Sequence, residues 1–210
     1  GEVNEEGVQY YSDLIDECLK YNIQPLVTMY HFDLPAALDE QGGWANRATV
    51  DAFVEFSELM FKSYGDRVKY WLTINEQNMM TLAAGAVLGV DTSAPGAQKR
   101  IYEMNHHMLL AQAKSMNLCH EMLPNAKIVV SSILPAQDPA FNRSSRWRWI
   151  PDWNVVLEAT CAENGVLYAN CDFLHDYYSG YWDPDGTHLQ PPMYPYWGGQ
   201  LLVTALYGGL

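Results

Sequence analysis

The stretch VKYWLTINEQN at residues 68–78 decides the fold of this chain. Its apolar part, Val68 to Ile74, is short and rich in β-branched and aromatic side chains, which indicates a buried strand. The strand ends directly in Asn75 and Glu76, so an amide and a carboxyl group lie together at the edge of a sheet. Partial burial would keep such a glutamate protonated and suit it to general acid catalysis. A structural acid at the start of the next helix is the alternative interpretation.

Two further apolar runs predict strands, and each of the three strands follows a helix whose apolar residues recur at intervals of three and four. The predicted helix and strand pairs are a stripe from Val8 to Leu19 with Ile23–Tyr30, Thr49–Tyr64 with Val68–Ile74, and Lys99–Met122 with Lys127–Ile133. Strands that are apolar on both faces indicate an α/β fold with a parallel sheet and helices outside. Periodicity alone leaves open a closed (β/α)₈ barrel and an open doubly wound sheet.

Composition excludes several functional classes. The chain has 25 acidic and 12 basic residues and a net charge of -13, so it repels phosphate backbones and is not expected to bind nucleic acid. No apolar run reaches the roughly 18 residues of a membrane span, and no secretory leader is visible. The four cysteines form no C-x-x-C pair and are interpreted as free thiols in a reducing, cytoplasmic setting.

No cofactor or metal is implied by the sequence, and the oligomeric state is not indicated. The histidines and the cysteine of one predicted helix match no zinc-binding spacing and are interpreted as core or surface residues. These residues are His106, His107, Cys119 and His120.

After residue 134 the pattern weakens. The segment NRSSRWRWIPD at residues 142–152 is basic and rich in tryptophan. Asn154 to Tyr178 predicts a helix with a break at Asn164-Gly165. From Asp183 onward Pro, Gly and Tyr predict turns and irregular structure, and Leu201–Leu210 has no interpretable pattern.

The second polar element is MYHFDLP at residues 29–35. His31 ends the first predicted strand, so we expect it beside Asn75 and Glu76 at one mouth of the sheet. An imidazole in that place suits a hydrogen bond to a sugar hydroxyl, and a purely structural histidine is the alternative. Phe32 offers an apolar face to a sugar ring or belongs to the core.

Four motifs in a fixed order resemble one enzyme family. MYHFDLP at residues 29–35, GGWANR at 42–47, YGDRVKYW at 64–71 and TINEQN at 73–78 strongly resemble glycoside hydrolase family 1, which contains β-glucosidases and 6-phospho-β-glucosidases. The clear resemblance covers about residues 3 to 130, including MNHHMLLAQAK at residues 104–114.

The resemblance implies a partial (β/α)₈ TIM barrel, with residues 23–133 as roughly strands 4 to 6 and their helices. Residues 1–134 would then form the central part of the barrel, and residues 135–210 a divergent continuation of the same domain. A β-glucoside or its 6-phosphate would be the substrate, hydrolysed with retention of configuration.

The resemblance also implies roles for individual residues. Glu76 matches the catalytic acid/base, and Asn75 matches the residue that binds the sugar 2-hydroxyl. His31 matches a sugar-binding histidine, and Phe32 stands where many members carry Trp. Gln77 stands where many plain β-glucosidases carry Pro. This difference favours the 6-phospho branch of the family.

The nucleophile that the family carries in a T-E-N-G motif is not found. Ala162-Glu163-Asn164-Gly165 imitates the motif, but it lies too close to Glu76 and within a helical pattern rather than at a strand end. The chain is therefore expected to be inactive alone. A non-catalytic carbohydrate-binding fragment and a non-functional truncated gene product are the alternatives.

Overall fold

The computed structural model describes residues 2–77, 79–82, 84–126, 129–131, 150–173 and 189–208, with the backbone alone at residues 81, 82 and 130. The chain divides into two compact units, residues 1–126 and 127–210. Most of the Trp-rich segment 142–152, and the start of the predicted irregular region at Asp183, lie outside the described residues.

The first unit contains two strands and three long helices. Its elements in chain order are α1 (Glu5–Lys20), β1 (Leu26–Tyr30), α2 (Ala36–Asp39), a 3₁₀ turn (Gly43–Ala45), α3 (Ala48–Tyr64), β2 (Tyr70–Ile74), α4 (Met79–Leu82), α5 (Ala84–Val87) and α6 (Ala97–Met122). All three long helices confirm the predicted ones. Asn4 caps α1 by accepting the Gly7 N–H at 3.0 Å, which satisfies one of the free amides of the first turn.

β1 and β2 pair in parallel, with Leu26 opposite Tyr70 and Tyr30 opposite Ile74. Paired residues of parallel strands share a face. The face that contains Trp71 is covered by helices, since its ring packs edge-on against Phe61 of α3 at 5.1 Å. The parallel sheet predicted from the alternation of helix and strand is thus confirmed for this pair.

The opposite face of the sheet corrects the prediction that both faces are buried. Leu26 is 60% exposed, Leu72 46% and Tyr70 38%, whereas Tyr30 and Ile74 at the carboxyl ends are buried. The described sheet has only these two strands. No described part of this unit covers the amino-terminal half of the face, so its apolar side chains remain in contact with water.

The core of the first unit lies where α3 and α6 pack together beside the sheet. Ser57 and Ser115 meet at this contact with their Oγ atoms 2.8 Å apart, and both side chains are fully buried. Ser57 Oγ also donates to the carbonyl oxygen of Phe53 at 2.8 Å. Two small residues at one crossing let the helices approach closely while their hydroxyl groups satisfy each other.

The described residues of the second unit form a short parallel pair of strands and two helices. Its elements are β3 (Val129–Ser131), α7 (Ile150–Glu163), β4 (Leu167–Ala169), a 3₁₀ turn (Pro191–Met193) and α8 (Tyr194–Tyr207). Its core holds Ala169, Cys171, Leu189 and Met193, with Val129, Trp197 and Leu201 packed against them. Of the predicted strand Lys127–Ile133, the described residues are Val129–Ser131, and they form a strand.

The predictions for the second unit are confirmed only in part. The helix predicted from Asn154 is present as far as Glu163, and the predicted break at Asn164-Gly165 is confirmed, since Gly165 adopts a left-handed φ of 65°. After the break the helix prediction is wrong at Leu167–Ala169, which form β4, while residues 174–178 lie outside the described residues. The irregular structure predicted toward the carboxyl terminus is instead the helix α8. Pro195 fits its first turn, where no intrahelical N–H is needed. Gly198-Gly199 interrupt a largely apolar segment that has no distinct polar face, and this concealed the helical pattern.

Within the described residues, none of the helices combines the length and the hydrophobicity that a membrane crossing requires.

The contact between α3 and α6 leads to a stability prediction. Ser115→Val adds volume at a fully buried helix contact, so it should lower the free energy of unfolding by about 1–3 kcal/mol. Ser115→Ala should cost less than about 1 kcal/mol, because Ser57 keeps its bond to Phe53. Urea unfolding followed by circular dichroism measures both values, and equal losses for the two variants would contradict the close packing.

The exposed sheet face leads to a second prediction. Leu72→Lys should reduce concentration-dependent self-association, because it places a charge in the middle of the exposed apolar face. Ile74→Lys is the matched control two residues later on the same face. Ile74 is only 8% exposed, so a charge there should unfold the chain instead. Sedimentation velocity over a range of concentrations tests both, and undiminished association of Leu72→Lys would refute the assignment.

Candidate active site

The carboxyl ends of β1 and β2 bring together two of the predicted site residues. Each strand continues by one residue, to His31 and to Asn75. The Asn75 backbone N–H donates to the Tyr30 carbonyl oxygen at 2.9 Å and so extends the parallel ladder past the last strand residue. The side chains then meet, with Asn75 Nδ2 3.3 Å from His31 Nε2. When Nδ2 donates, His31 is a neutral imidazole with its proton on Nδ1.

Both chain segments leave the sheet through a left-handed residue. Phe32 has φ 66° and Glu76 has φ 43°, and each lies two residues after the paired Tyr30 and Ile74. Non-glycine residues in this region are uncommon and cost of order 1–3 kcal/mol. The two exits thus share one geometry, and it places Phe32 and Glu76 at equivalent positions on the rim.

The turn after β1 is fixed by an acidic side chain and by ring packing. The His31 backbone N–H donates to Asp33 Oδ1 at 2.8 Å. The His31 and Phe32 rings meet edge to face with centroids 5.3 Å apart, and Phe32 also packs against the core of the unit. Phe32 is therefore half-buried, while the imidazole of His31 stays exposed.

Beneath this edge, Tyr30 is buried and packs edge-on against Trp44 with ring centroids 5.5 Å apart. Burial raises the pKa of the Tyr30 hydroxyl, since the phenolate would lose its hydration. The residue below the site is thus a neutral hydroxyl at neutral pH.

The position of Glu76 corrects one expectation. The sequence predicted partial burial, but Glu76 is exposed, and its carboxylate makes no hydrogen bond or ion pair with the described residues. The cause is the single neighbour of β2 in the described sheet, which leaves the strand end open on its other side. The partial burial that the sequence predicted for this carboxyl group is therefore absent from the described part of the chain.

A comparison with known protein families shows which family the chain resembles. Residues 1–148 match the model of Glycosyl hydrolase family 1. The chain belongs to this family. The matched residues include both strand ends of the candidate site, whereas α7, β4 and α8 lie beyond the match.

Individual members of the glycosyl hydrolase family agree with this assignment. The chain is 42% identical over 146 residues to the aryl-phospho-β-D-glucosidase BglC of Bacillus subtilis, covering 69% of this chain and 30% of that protein. It is 38% identical over 181 residues to β-glucosidase A of Acetivibrio thermocellus, covering 79% and 39%. The family 1 β-glucosidase of Thermotoga maritima superposes with a TM-score of 0.57 at 35% identity, covering 71% and 35%. The chain thus spans about a third of the length of these relatives.

The sequence did not predict two contacts that α6 makes, one with the turn after β2 and one with the Gly43–Ala45 turn. Gln77 Nε2 donates to Asn105 Oδ1 of α6 at 2.9 Å, and His107 Nδ1 lies 2.8 Å from the carbonyl oxygen of Trp44. His107 is therefore a half-buried anchor between α6 and the Gly43–Ala45 turn. Both bonds join segments far apart in the chain, so local patterns give no signal for them.

The sequence Ala162-Glu163-Asn164-Gly165, which resembles the T-E-N-G motif of the family, lies at a helix end. Glu163 is the last residue of α7 and is exposed. The Val166 N–H donates to the Cys161 carbonyl oxygen across Gly165, a common way to end a helix. A strand-end nucleophile needs a different backbone context, which agrees with the rejection of Glu163.

Other candidate sites lie apart from the strand ends. Among the described residues, no group of three His, Cys, Asp or Glu side chains is placed to hold a metal ion. A cavity of about 370 Å³ lies between residues 39–42 and residues 88–104, and its lining includes none of the four predicted site residues.

The left-handed backbone at Glu76 leads to a third prediction. Glu76→Gly should be more stable than Glu76→Ala by about 1 kcal/mol, because glycine adopts a positive φ without the steric cost of a Cβ. Glu55, exposed in the middle of α3, is the matched control. There the order should reverse, with Gly less stable than Ala by about 1 kcal/mol. Thermal unfolding of the four variants tests this, and the same order at both positions would refute the left-handed conformation of Glu76.

Proposed function

We propose that residues 1–134 are the central part of a (β/α)₈ barrel that hydrolyses β-glucosides or 6-phospho-β-glucosides with retention of configuration. The observation that carries this proposal is the contact between His31 and Asn75 at the carboxyl ends of a parallel strand pair, with Glu76 next in the chain. Membership of Glycosyl hydrolase family 1 supports it. Residues 135–210 continue the same domain in this proposal.

Glu76 acts as the acid/base in this reaction. Its carboxyl group protonates the glycosidic oxygen as the bond breaks and then takes a proton from the water that attacks the glycosyl-enzyme. An acid/base of this kind contributes typically 10²–10⁴-fold to the rate. The second carboxylate, which attacks the anomeric carbon from about 5–5.5 Å away, is not assigned to any residue of this chain.

His31, Asn75 and Phe32 bind the sugar. The amide of Asn75 and the imidazole of His31 are in mutual contact and offer neighbouring polar atoms to two adjacent hydroxyl groups. Phe32, held edge-on to His31, offers its apolar ring to the carbon face of the sugar. Sugar binding replaces the bond between Asn75 and His31 with bonds to the ligand, so neither polar group loses a partner.

The names of the relatives support the proposed substrate class. Their names include an aryl-phospho-β-D-glucosidase and a β-glucosidase, so both the free and the 6-phosphorylated sugar belong to the proposal. Comparing the hydrolysis of an aryl β-glucoside with that of its 6-phosphate separates the two. Equal rates of hydrolysis for the two substrates would contradict the preference for the phosphorylated sugar that Gln77 suggests.

The catalytic role of Glu76 leads to a fourth prediction, which is tested in a complete barrel. Residues 1–126 replace the aligned segment of the Thermotoga maritima β-glucosidase. Glu76→Gln in this chimera should lower kcat for an aryl glucoside with a poor leaving group by about 10²–10⁴-fold. A dinitrophenyl glucoside, whose leaving group needs no proton, should show a much smaller defect in bond cleavage.

A separate comparison uses the 210-residue chain, in which Glu163→Gln should not alter sugar binding because Glu163 lies at the end of α7. The chain alone should release no aglycone. Sugar binding by calorimetry without turnover would favour the carbohydrate-binding alternative. Turnover by the isolated chain that is lost in Glu76→Gln would overturn its predicted inactivity, and full activity of the Glu76→Gln chimera would overturn the catalytic role.

A further inference from the structure

Among its described residues, the turn that carries Glu76 is attached to the helical layer by the side chain of Gln77. Gln77 follows Glu76 directly, and its Nε2 donates to Asn105 Oδ1 of α6 at 2.9 Å. Both side chains are half-buried, so the bond is partly shielded from competing water. Backbone bonds hold the two ends of the turn, from the Asn75 N–H to Tyr30 and from the Met79 N–H to the Glu76 carbonyl oxygen.

Glu76 needs an external restraint. Its φ of 43° is sparsely populated for residues with a Cβ and persists only when the surroundings hold it. The carboxylate of Glu76 makes no hydrogen bond or ion pair with the described residues. Its own side chain therefore does not stabilise this backbone conformation. The restraint must come from the neighbouring residues of the turn.

Asn105 is well placed to supply the restraint because its own position is fixed. It lies in the first half of the 26-residue helix α6. Met104 and Met108 on the same helix are 5% and 0% exposed and are part of the core. Met80, just after the turn, is also fully buried in that core. Gln77 is thus held between a packed helix and a packed turn.

We propose that Asn105 is a positioning residue for Glu76: by binding Gln77 it keeps the turn in the left-handed conformation that sets the direction of the carboxyl group. The relevance of this to catalysis rests on the proposed function. The positioning itself is a property of the chain and is measured without any substrate.

The experiment uses hydrogen exchange of the complete 210-residue chain, followed by mass spectrometry of peptides that cover residues 75–80. Asn105→Leu removes the acceptor while keeping the same number of side-chain heavy atoms, and it should raise the exchange rate of these amides about fivefold, the loss expected for one hydrogen bond. Asn105→Asp keeps an acceptor oxygen for Gln77 and should restore the slow exchange. A side chain that matters only through its packing would not distinguish Asp from Leu in this way.

Gln112→Leu is the matched control. Gln112 lies two turns further along α6 and donates to Thr73 Oγ1 of β2 at 2.7 Å, so its loss also removes one bond between α6 and β2. It should leave the exchange of residues 75–80 unchanged. If Asn105→Leu does not fold, Gln77→Leu breaks the same bond from the other side and should give the same fivefold increase.

The outcomes separate the two proposals. Equal exchange in wild type and in the folded Asn105→Leu or Gln77→Leu variant would overturn the positioning role and leave the chemistry of Glu76 untouched. Equal acceleration by Gln112→Leu would also overturn it, since the effect would then be a general loss of contact between α6 and β2. Full activity of the Glu76→Gln chimera would end the proposed function without changing any exchange rate.

Discussion

The parallel register of β1 against β2 is the constraint on which the rest of the structure depends. Tyr30 lies opposite Ile74, and the Asn75 N–H continues the ladder to the Tyr30 carbonyl oxygen. A slip of one residue would turn every side chain of one strand to the other face. It would send Trp71 to the exposed side and separate His31 from Asn75. The site therefore exists only in the observed register.

The helices hold this register from one side of the sheet. Phe61 of α3 packs edge-on against Trp71, and Gln112 of α6 binds the Thr73 hydroxyl. The α3 and α6 helices are themselves in contact through Ser57 and Ser115. A bulky side chain at this crossing would separate the two helices that hold β2, so two small serines far from the rim help to position the residues at its end.

How far the sequence predicts this structure depends on the range of the interactions involved. The stripes of α1, α3 and α6 and the position of His31 and Asn75 at strand ends follow from local patterns, and the structure confirms them. The helix α8 was missed because glycines interrupt an apolar run that has no polar face. The left-handed Glu76 and its support by Asn105 were missed for another reason. They result from contacts between residues far apart in sequence, and no local pattern encodes them.

Placement and environment are separable properties of the Glu76 site. Two strands, one register and a turn tied to α6 are enough to set His31, Asn75 and Glu76 on one rim. They are not enough to enclose the carboxyl group, because burial needs neighbours on both sides of β2 and the described sheet supplies one. The same open side exposes Leu72. The single described neighbour of β2 thus accounts for both the exposed apolar side chain of Leu72 and the exposed carboxyl group of Glu76.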